Sequence, residues 1–391
     1  MRKTLLLFSI ISIFASISKA QWTQINTGIA GNFTSVHMID SNIVVIASEN
    51  GNVLRSTDAG VTWSTIPTGG IAINDFFFLD NMNAMAAADD GFFLKSSDGG
   101  NTWTSIVTGV SPNLESVHFV DLNTGYIAGR DGVILKTTNG GTTWTPQTSG
   151  STARLEGVFF TSASNGIVTG RDGALLSTSD GGTTWTPKSI GGGDNKGVYF
   201  INASTGFIVG ENGFNKTTDG GASWMSSAAG GLEYNAVHFP TSTIGYAVGE
   251  LGTVAKTTDA GTNWAIDTAI SIMELDDVHF YNVNNGFAVG EVGTVLKYST
   301  KAGPPPTGIA SIGVNIPKVY PNPATDILYL DLKETAPDAQ FELSDLSGRV
   351  MSAGLLRASN VIDISGLAPG LYFLTVMINS EQSFDYKIVV K

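Results

Sequence analysis

The 391-residue chain contains no cysteine, only four histidines and few charged residues, 14% of the total. Without cysteine, disulfide bonds, thiol catalysis, cysteine-ligated zinc and a lipid-modified N-terminal cysteine are all excluded. Acidic residues outnumber basic ones by 34 to 21, for a net charge of −13. Phosphate backbones and anionic lipid surfaces are repelled overall, so we expect no nucleic-acid partner.

Long apolar runs are also missing, except in residues 1–20. There, Arg2 and Lys3 precede an apolar run that ends in small residues up to Ala20, which predicts a secretory signal peptide. Its removal would bring the net charge to −16, because it holds three basic and no acidic residues. We expect no transmembrane segment in the mature chain.

Glycine is abundant, with 47 residues, and tryptophan recurs every 39 to 41 positions. Such a period predicts repeated supersecondary units. No segment keeps a 3.6-residue apolar period over three turns, so stacked helical repeats are excluded. Each unit instead holds four short strand candidates between glycine-containing turns, as in SVHF, YIAG, VILK and TTWTPQ of residues 116–147. Seven such units predict an all-β fold, a seven-bladed β-propeller over residues 21–303.

The first and last units indicate how the ring closes. The seventh unit ends in GTVLKYSTKAG and lacks a tryptophan, whereas WTQINTG at 22–28 matches WTPQTSG at 144–150. We therefore predict that Trp22 lies on the outer strand of the last blade, which would remove exposed sheet edges.

A turn such as TDAGVTW (57–63) recurs six times in phase. The aspartate can accept hydrogen bonds from turn amides, glycine permits a tight backbone, and tryptophan can pack between blades. The motif resembles the Asp-box (bacterial neuraminidase repeat), with Asn139 in place of the third aspartate and Asn263 in place of a threonine. We interpret these turns as structural rather than catalytic. Their residues are Asp58, Asp98, Asn139, Asp180, Asp219, Asp259, Trp63, Trp103, Trp144, Trp185, Trp224 and Trp264.

The four histidines fall at one repeat position, which is aromatic in the other three units. This exchange predicts a packing position on the innermost strand, with no metal site and no cofactor. The position is His37, Phe77, His118, Phe159, Tyr199, His238 and His279. A cation precedes six of the seven box positions, as Lys136 does, and we expect these cations on the outer part of the blades, where their stems cover apolar surface.

An asymmetric group of cations is the candidate binding site. Arg130 and Arg171 occupy turns between second and third strands that carry acids in the other blades, and Arg154 lies in the loop between these two blades. With Lys196, they predict a cationic patch on one face, suited to carboxylates of a ligand. The alternative is that these cations form salt bridges with neighbouring acids, namely Asp131, Asp172, Glu115 and Glu156.

Glycoside hydrolysis is the enzymatic alternative, because the same face carries several carboxylates, namely Glu115, Glu156, Glu233, Asp276 and Asp277. Sialidases place an arginine triad, a Tyr–Glu pair and an aspartate on such a face, but this propeller has only four arginines and no early Arg-Ile-Pro motif. Xyloglucan-cleaving Asp-box enzymes are usually built from two propellers. We therefore assign no catalytic residue.

The whole unit, ESVHFVDLNTGYIAGRDGVILKTTNGGTTWTPQTSG, is similar to the repeat of the photosystem II assembly and stability factor family. The resemblance covers residues 21–303 and implies a protein-binding scaffold with an arginine patch as contact surface. An assembly-factor-like scaffold is therefore a further alternative.

After a proline-rich linker (304–316), residues 317–391 contain VYPNPATDILYL, FELSDLSGRVM and IDISGLAPGLYFLTV. They predict a small β-sandwich and resemble the C-terminal sorting domain of the type IX (Por) secretion system of Bacteroidetes. The resemblance implies passage through the periplasm, then recognition by the type IX machinery. We therefore predict a secreted or surface-attached propeller that binds a protein or glycan.

Overall fold

The computed structural model describes residues 21–227, 232–267, 271, 273–299, 318–331, 340–345, 349–356, 361–379 and 382–391. The predicted signal peptide (1–20) and proline-rich linker (304–316) lie outside the described residues. The chain divides into two compact units, one up to Gly303 and one from Pro304 onward. None of the described helices is long and apolar enough to span a membrane.

The first unit is a ring of seven four-stranded antiparallel sheets, so the predicted seven-bladed propeller is confirmed. Strands are numbered along the chain, and each blade runs from its innermost to its outermost strand. The blades are β2–β5 (Phe33–Met38, Val44–Ser48, Asn52–Ser56, Ser64–Pro67); β6–β9 (Ile73–Phe78, Ala84–Ala88, Phe92–Ser96, Thr104–Val107); β10–β13 (Leu114–Phe119, Gly125–Gly129, Ile134–Thr137, Thr145–Gln147); β14–β17 (Leu155–Phe160, Gly166–Gly170, Leu175–Thr178, Thr186–Pro187); β18–β21 (Asn195–Phe200, Gly206–Gly210, Gly213–Thr217, Met225–Ser227); β22–β25 (Tyr234–His238, Gly245–Gly249, Thr253–Thr257, Ala265–Asp267); and β26–β28 with β1 (Leu275–Asn282, Asn285–Gly290, Val295–Ser299, Gln21–Gln24).

The ring closes within blade 7, as predicted. Strand β1 pairs antiparallel with β28, and Trp22 lies opposite Tyr298. Trp22 is 2% exposed and makes edge contacts with Tyr246, Phe280 and Tyr298. The first segment of the propeller is thus fixed by both strand pairing and an aromatic cluster, which gives blade 7 the same four strands as the other blades.

The six repeated turns between third and fourth strands, the box turns, share one hydrogen-bond network. In the first, Asp58 Oδ1 accepts from the Ser56 hydroxyl and the Thr62 amide, both at 2.8 Å. Asp58 Oδ2 accepts from the Thr62 hydroxyl at 2.6 Å. Gly60 has φ +84° and donates its amide to Ser56 Oγ. The turn is therefore held by side-chain oxygens in place of a backbone ladder.

The two sequence departures in the box turns preserve this network. Asn139 accepts from the Thr143 amide through Oδ1 and donates from Nδ2 to the Thr143 hydroxyl at 2.8 Å. Asn263 donates from Nδ2 to Asp259 Oδ2, also at 2.8 Å. In one turn a side-chain amide replaces the carboxylate, and in the other it replaces the hydroxyl; the hydrogen bond between the two positions is kept in both. The turn therefore tolerates both substitutions.

Each box turn packs against the preceding blade. Trp63 of the first box meets the ring of Phe287 in blade 7 edge-on, at 6.4 Å between centroids. The cation at the end of the third strand makes a second contact between blades, as when Lys136 Nζ donates to the Gly181 carbonyl of the next box at 2.7 Å. These cations are half-buried and link neighbouring blades, in addition to covering apolar surface.

The second unit consists of two antiparallel sheets around one core. A three-stranded sheet has the order β29–β30–β33 and a four-stranded sheet the order β32–β31–β34–β35. These strands are Lys318–Tyr320, Ile327–Asp331, Gln340–Asp345, Val350–Leu355, Val361–Asp363, Gly370–Asn379 and Gln382–Val390. Side chains from both sheets, including Leu328, Leu343 and Ile362, form the buried cluster between them. The predicted β-sandwich is confirmed.

Candidate functional site

Three arginines lie on the face formed by second-to-third strand turns and by the loops between blades. Arg130 begins the 3-10 turn Arg130–Gly132 between β11 and β12, and its amide donates to the Asn113 carbonyl. Arg171 lies at the equivalent position between β15 and β16, and its backbone amide donates a hydrogen bond to the Arg154 carbonyl. Because Asp131 has φ +57°, the backbone reverses directly after Arg130.

Two glutamates on the innermost strands hold the arginines in a row. Glu115 accepts from Arg130 Nε at 2.7 Å and from Arg154 Nη2 at 2.9 Å. Glu156 lies 3.2 Å from Arg154 Nε and 2.9 Å from Arg171 Nε. The glutamate side chains are 6% and 10% exposed, whereas those of Arg130 and Arg171 are 48% and 45% exposed. The carboxylates are thus buried supports for half-exposed guanidinium groups.

The arginine row is largely charge-compensated, as the salt-bridge alternative expects, and two of the four acids that it named are the partners. The ion pairs are with Glu115, Glu156 and, at 3.8 Å from Arg171, Asp194. The described part of the chain shows no ion pair from these arginines to Asp131 or Asp172. The hydrogen bond that Arg130 donates to Glu115 raises the pKa of Arg130, and the one that Arg171 donates to Glu156 raises the pKa of Arg171.

Lys196 continues the row into blades 5 and 6. Its Nζ lies 2.5 Å from Glu233 Oε1 and donates to Asn235 Oδ1 at 2.7 Å. Asn235 in turn donates to Glu274 Oε1 at 2.8 Å. The side chain of Lys196 is only 20% exposed and is fully used within this network. Among the four proposed cations, Arg130 and Arg171 therefore present the most accessible charge.

These residues surround the mouth of the central channel. A cavity of about 560 Å³ at the mouth is lined by all four cations and by acids on the remaining blades, including Glu49, Asp89, Glu274 and Asp276. The mouth is therefore divided: guanidinium groups lie on blades 3 and 4, and carboxylates without an arginine partner lie on blades 7, 1 and 2. A ligand complementary to both halves carries charges of both signs.

Below the mouth, the innermost strands line a channel of about 390 Å³. Each innermost strand has a β-bulge near its start, as between Leu114 and Ser116. Because of the bulge, two consecutive residues, here Glu115 and Ser116, both line the channel. An upper ring results, of Thr34, Asn74, Glu115, Glu156, Lys196, Asn235 and Asp276. A middle ring follows, of Ser35, Asp75, Ser116, Gly157, Gly197, Ala236 and Asp277. The lower ring is the histidine-aromatic position.

Two aspartates of the middle ring bind neighbouring blades. Asp277 Oδ2 accepts from the Ser35 hydroxyl at 2.9 Å and the Val36 amide at 2.8 Å. Asp75 Oδ2 accepts from the Ser116 hydroxyl at 2.9 Å in the same way. Burial raises the pKa of both carboxyls, to about 7 for Asp75. Burial likewise raises the pKa of Asp276 in the upper ring to about 7.

The histidines of the lower ring are buried or half-buried and pack against neighbouring rings. The His37 ring lies 4.2 Å from Phe78 and 4.0 Å from His279 between centroids. Burial lowers the pKa of His37 to about 3 and that of His238 to about 4, so both are neutral near pH 7. His279 Nδ1 accepts from the Met38 amide at 3.1 Å. No cluster of metal-ligating side chains occurs among the described residues.

The carboxylates considered for glycoside hydrolysis occupy different depths. Glu115 and Glu156 support arginines, and Asp277 lies in the middle ring on Ser35 rather than at the mouth. Asp276 alone combines a place at the mouth with a raised pKa.

Sequence reasoning missed several residues of the mouth, such as Asn74, Asn235 and Glu274. Asn235 occupies the same repeat position as Glu115 and Lys196, so alignment of the second residue of every innermost strand would have found it. Glu274 precedes its strand and gives no such signal, since the loops between blades vary in length and composition.

Two family models match the chain. The model described as photosynthesis system II assembly factor YCF48 matches residues 64–138, 138–228 and 225–299. The chain belongs to this family. Residues 318–391 match the secretion system C-terminal sorting domain, which indicates export through the type IX secretion system to the cell surface or the medium.

Similar solved structures are propellers. YCF48 from Cyanidioschyzon merolae has a TM-score of 0.59 and 20% identity, over 71% of this chain and 98% of that one. YCF48 bound to D1 peptide has a TM-score of 0.60 and 15% identity, over 72% and 95%. The WD40 propeller domain of Doa1 has a TM-score of 0.57 and 13% identity, over 72% and 98%. At these identities the likeness shows the fold. No curated protein sequence gives a match.

Proposed function

We propose that the protein is an exported binding module whose arginine-bearing face holds a polypeptide segment of a partner through the partner's carboxylates. The observation that carries this proposal is the geometry of the arginine row. Arg130 and Arg171 each use Nε on a buried glutamate, and within the described residues their terminal nitrogens make no hydrogen bond or ion pair. Fixed in this way, the outer edges of the two guanidinium groups suit bidentate binding of carboxylates.

Preorganisation supports this role. A flexible arginine loses side-chain entropy when it binds, whereas these arginines are already held by charge-assisted hydrogen bonds. The acidic half of the mouth favours a segment that also carries a cation. A solved relative bound to a peptide is consistent with a peptide ligand.

The route of export completes the proposal. Residues 1–20 direct the chain into the periplasm and are removed, and the sorting domain is then recognised for passage across the outer membrane of a bacterium of the Bacteroidetes type. Deletion of residues 317–391 should leave the propeller in the periplasm. Continued appearance of the truncated chain in the medium or at the surface would contradict this route.

The binding proposal is tested with the full chain on an array of acidic, basic and zwitterionic peptides. We expect the acid-containing peptides to bind, and the Arg130→Gln/Arg171→Gln double variant to bind at least tenfold more weakly. The matched control is Arg349→Gln, which removes an exposed arginine from the C-terminal unit. Equal loss in the control would indicate a general charge effect. Unchanged binding in the double variant would refute the arginine face as the site.

Glycoside hydrolysis is a second candidate because Asp276 is protonated in part near pH 7 and lies at the mouth. A general acid requires such a raised pKa. The same protein is therefore assayed on chromogenic glycosides beside Asp276→Asn. If the unmodified protein cleaves a glycoside and the Asp276→Asn variant does not, the protein is a glycoside hydrolase. Glycan binding without turnover would indicate a lectin-like module in place of a peptide-binding one.

A further inference from the structure

One contact between neighbouring blades is repeated around the propeller. The residue at the end of the third strand donates from its side-chain nitrogen to a backbone carbonyl in the box turn of the next blade, at 2.7 to 3.2 Å. We call this contact the latch. It joins Arg55 to Gly99, Lys95 to Gly140, Lys136 to Gly181, Lys216 to Ala260 and Lys297 to Ala59. Lys256, which has no box turn ahead of it, donates to the Tyr298 hydroxyl at 3.2 Å.

The junction between blades 4 and 5 has no latch. The residue at this position is Ser177, whose short side chain cannot reach the box carbonyl of Gly220. The surroundings of the acceptor glycines show the difference. A Cβ built on Gly181 would lie 3.4 Å from Lys136 Nζ, whereas a Cβ on Gly220 meets only the Ala203 carbonyl oxygen.

The residue across the strand pair is aromatic in blades 3, 5, 6 and 7, but not in blade 4, nor in blades 1 and 2. Lys136 lies opposite Tyr126, and its Nζ is 5.4 Å from the centre of that ring. Lys216 lies over Phe207 in the same way, at 5.7 Å. Opposite Ser177 the residue is Ile167. At this junction a serine thus replaces the long cation of the other six blades, and the residue that faces it is not aromatic.

A cavity of about 280 Å³ occupies this place. Ile167 and Phe200 form its apolar part, and Ser177, Thr178 and Gly220 line it as well. Thr186 and Lys188, which also line the cavity, are exposed, so it is accessible from solvent. It lies on the side of the blades that bears the box turns, apart from the arginine row.

We propose that this cavity binds the lysine side chain of a partner polypeptide. The ammonium group takes the place that Lys136 Nζ takes one blade earlier, on the Gly220 carbonyl, and the aliphatic stem lies along Ile167. The rest of the propeller supplies the template, because four lysines make this contact with a box carbonyl at 2.7 to 3.0 Å.

The template contact and the carboxylate of the adjoining box turn favour this occupant, although the charged residue that lines the cavity itself is Lys188. The box turn of blade 5 contains Asp219, whose carboxylate is held by the Ser223 hydroxyl and amide. At the box turn of blade 1, burial lowers the pKa of the latch cation Lys297, and the charge of the equivalent Asp58 partly offsets this effect. Asp219 has no latch cation. The net charge of −13 adds a general attraction for basic segments.

The test uses the full chain and two probes that differ only in the ammonium group, N-acetyl-lysine methylamide and N-acetyl-norleucine methylamide. Titrations followed by NMR give the dissociation constants. We expect the lysine probe to bind at least tenfold more tightly than the norleucine probe. Ser177→Lys, which supplies the missing latch, should weaken lysine binding at least tenfold, and the matched control Ser177→Thr should bind as the unmodified chain does.

A second variant makes the test independent of how Ser177→Lys folds. The double change Tyr126→Ile/Lys136→Ser reproduces the blade 4 residues in blade 3 and should add a second lysine site, seen as a doubled stoichiometry. Absence of lysine binding to the unmodified chain, equal affinity for norleucine, or undiminished binding by Ser177→Lys would each overturn the proposal.

Discussion

Lys297 Nζ in blade 7 donates to the carbonyl oxygen of Ala59 in blade 1, 2.7 Å away, although 238 positions separate the two residues. The ring is therefore closed by the strand pairing of β1 with β28 and, among several contacts between blades 7 and 1, by this hydrogen bond. Both contacts depend on residues far apart in sequence, so they form only when all seven blades are in place.

Removal of the closing latch should destabilise the propeller. In Lys297→Met the stem remains but the donor is lost, so the Ala59 carbonyl keeps no charged partner. We expect the free energy of unfolding to fall by about 1–3 kcal/mol, the range for a hydrogen bond to a charged group. Urea unfolding followed by tryptophan fluorescence measures it. Lys188→Met, at an exposed lysine, is the control and should change little.

Removal of Trp22 should cost more. Its side chain is 2% exposed and contacts three aromatic rings, so Trp22→Ala leaves a cavity in blade 7. Such truncations cost about 3–5 kcal/mol. Gln24→Ala keeps the same strand pairing at an exposed position and serves as the control. If both variants unfold at the same urea concentration as the unmodified chain, β1 does not contribute to closure.

Addition of a latch should stabilise the propeller. Ser177→Lys supplies the donor that the junction of blades 4 and 5 lacks, and we expect a gain of about 1 kcal/mol, since hydrogen bonds to charged groups contribute roughly this much or more. Ser177→Met adds the stem without the donor and separates packing from hydrogen bonding. A melting temperature raised equally by both variants would show that only the apolar filling matters.

The box turns should make the propeller acid-sensitive. Hydrogen bonds from turn hydroxyls and amides lower the pKa of Asp58, Asp219 and Asp259 to about 2. A carboxyl with a lowered pKa in the folded state contributes stability above its unfolded pKa, near 4, and this contribution is lost as the pH falls toward 2. The variant with all three aspartates changed to asparagine should keep its turns, because Asn139 shows that an amide maintains the turn. Its free energy of unfolding should therefore fall less steeply as the pH is lowered.

The channel should have the opposite pH dependence. Burial raises the pKa of Asp75 to about 7, so the folded state keeps this proton while the unfolded state loses it near pH 4. The contribution of Asp75 is therefore most favourable below pH 4 and is lost as the pH rises to 7. Asp75→Asn should flatten the pH dependence between 4 and 7 in urea unfolding. Asp172→Asn, at an exposed turn, should leave it unchanged.

Most of the fold could be predicted from the sequence. Trp22 to Trp264 recur at a nearly constant spacing, and each unit repeats the same turns, so the number of blades and the closing strand follow from counting. The latches could not be predicted from the same pattern. Lys136 is recognisable as a repeated cation, but its acceptor is a backbone carbonyl one blade away, and only the packing of blades brings the two together.

Less of the candidate site than of the fold could be predicted from the sequence. Arg130, Arg154 and Arg171 could be placed on one face because strand turns alternate between two faces. Their pairing with Glu115 and Glu156 instead of the adjacent Asp131 and Asp172 depends on where side chains point. The side chains of adjacent turn residues point in different directions, whereas side chains of the innermost strands point toward the axis of the ring. The binding role of the face stays a prediction.

The unlatched junction at Ser177 also has a consequence for how the ring opens. A closed ring has no frayed end, so thermal breathing begins at its weakest contact between blades. At six junctions opening must break a hydrogen bond from the cation of the third strand, whereas between blades 4 and 5 this bond is missing and Arg171 lies 3.8 Å from Asp194. A circular permutant with its termini at this junction would keep every latch intact. We therefore expect the ring to open first at the junction of blades 4 and 5, which lies in the middle of the sequence and across the ring from the closing strand β1.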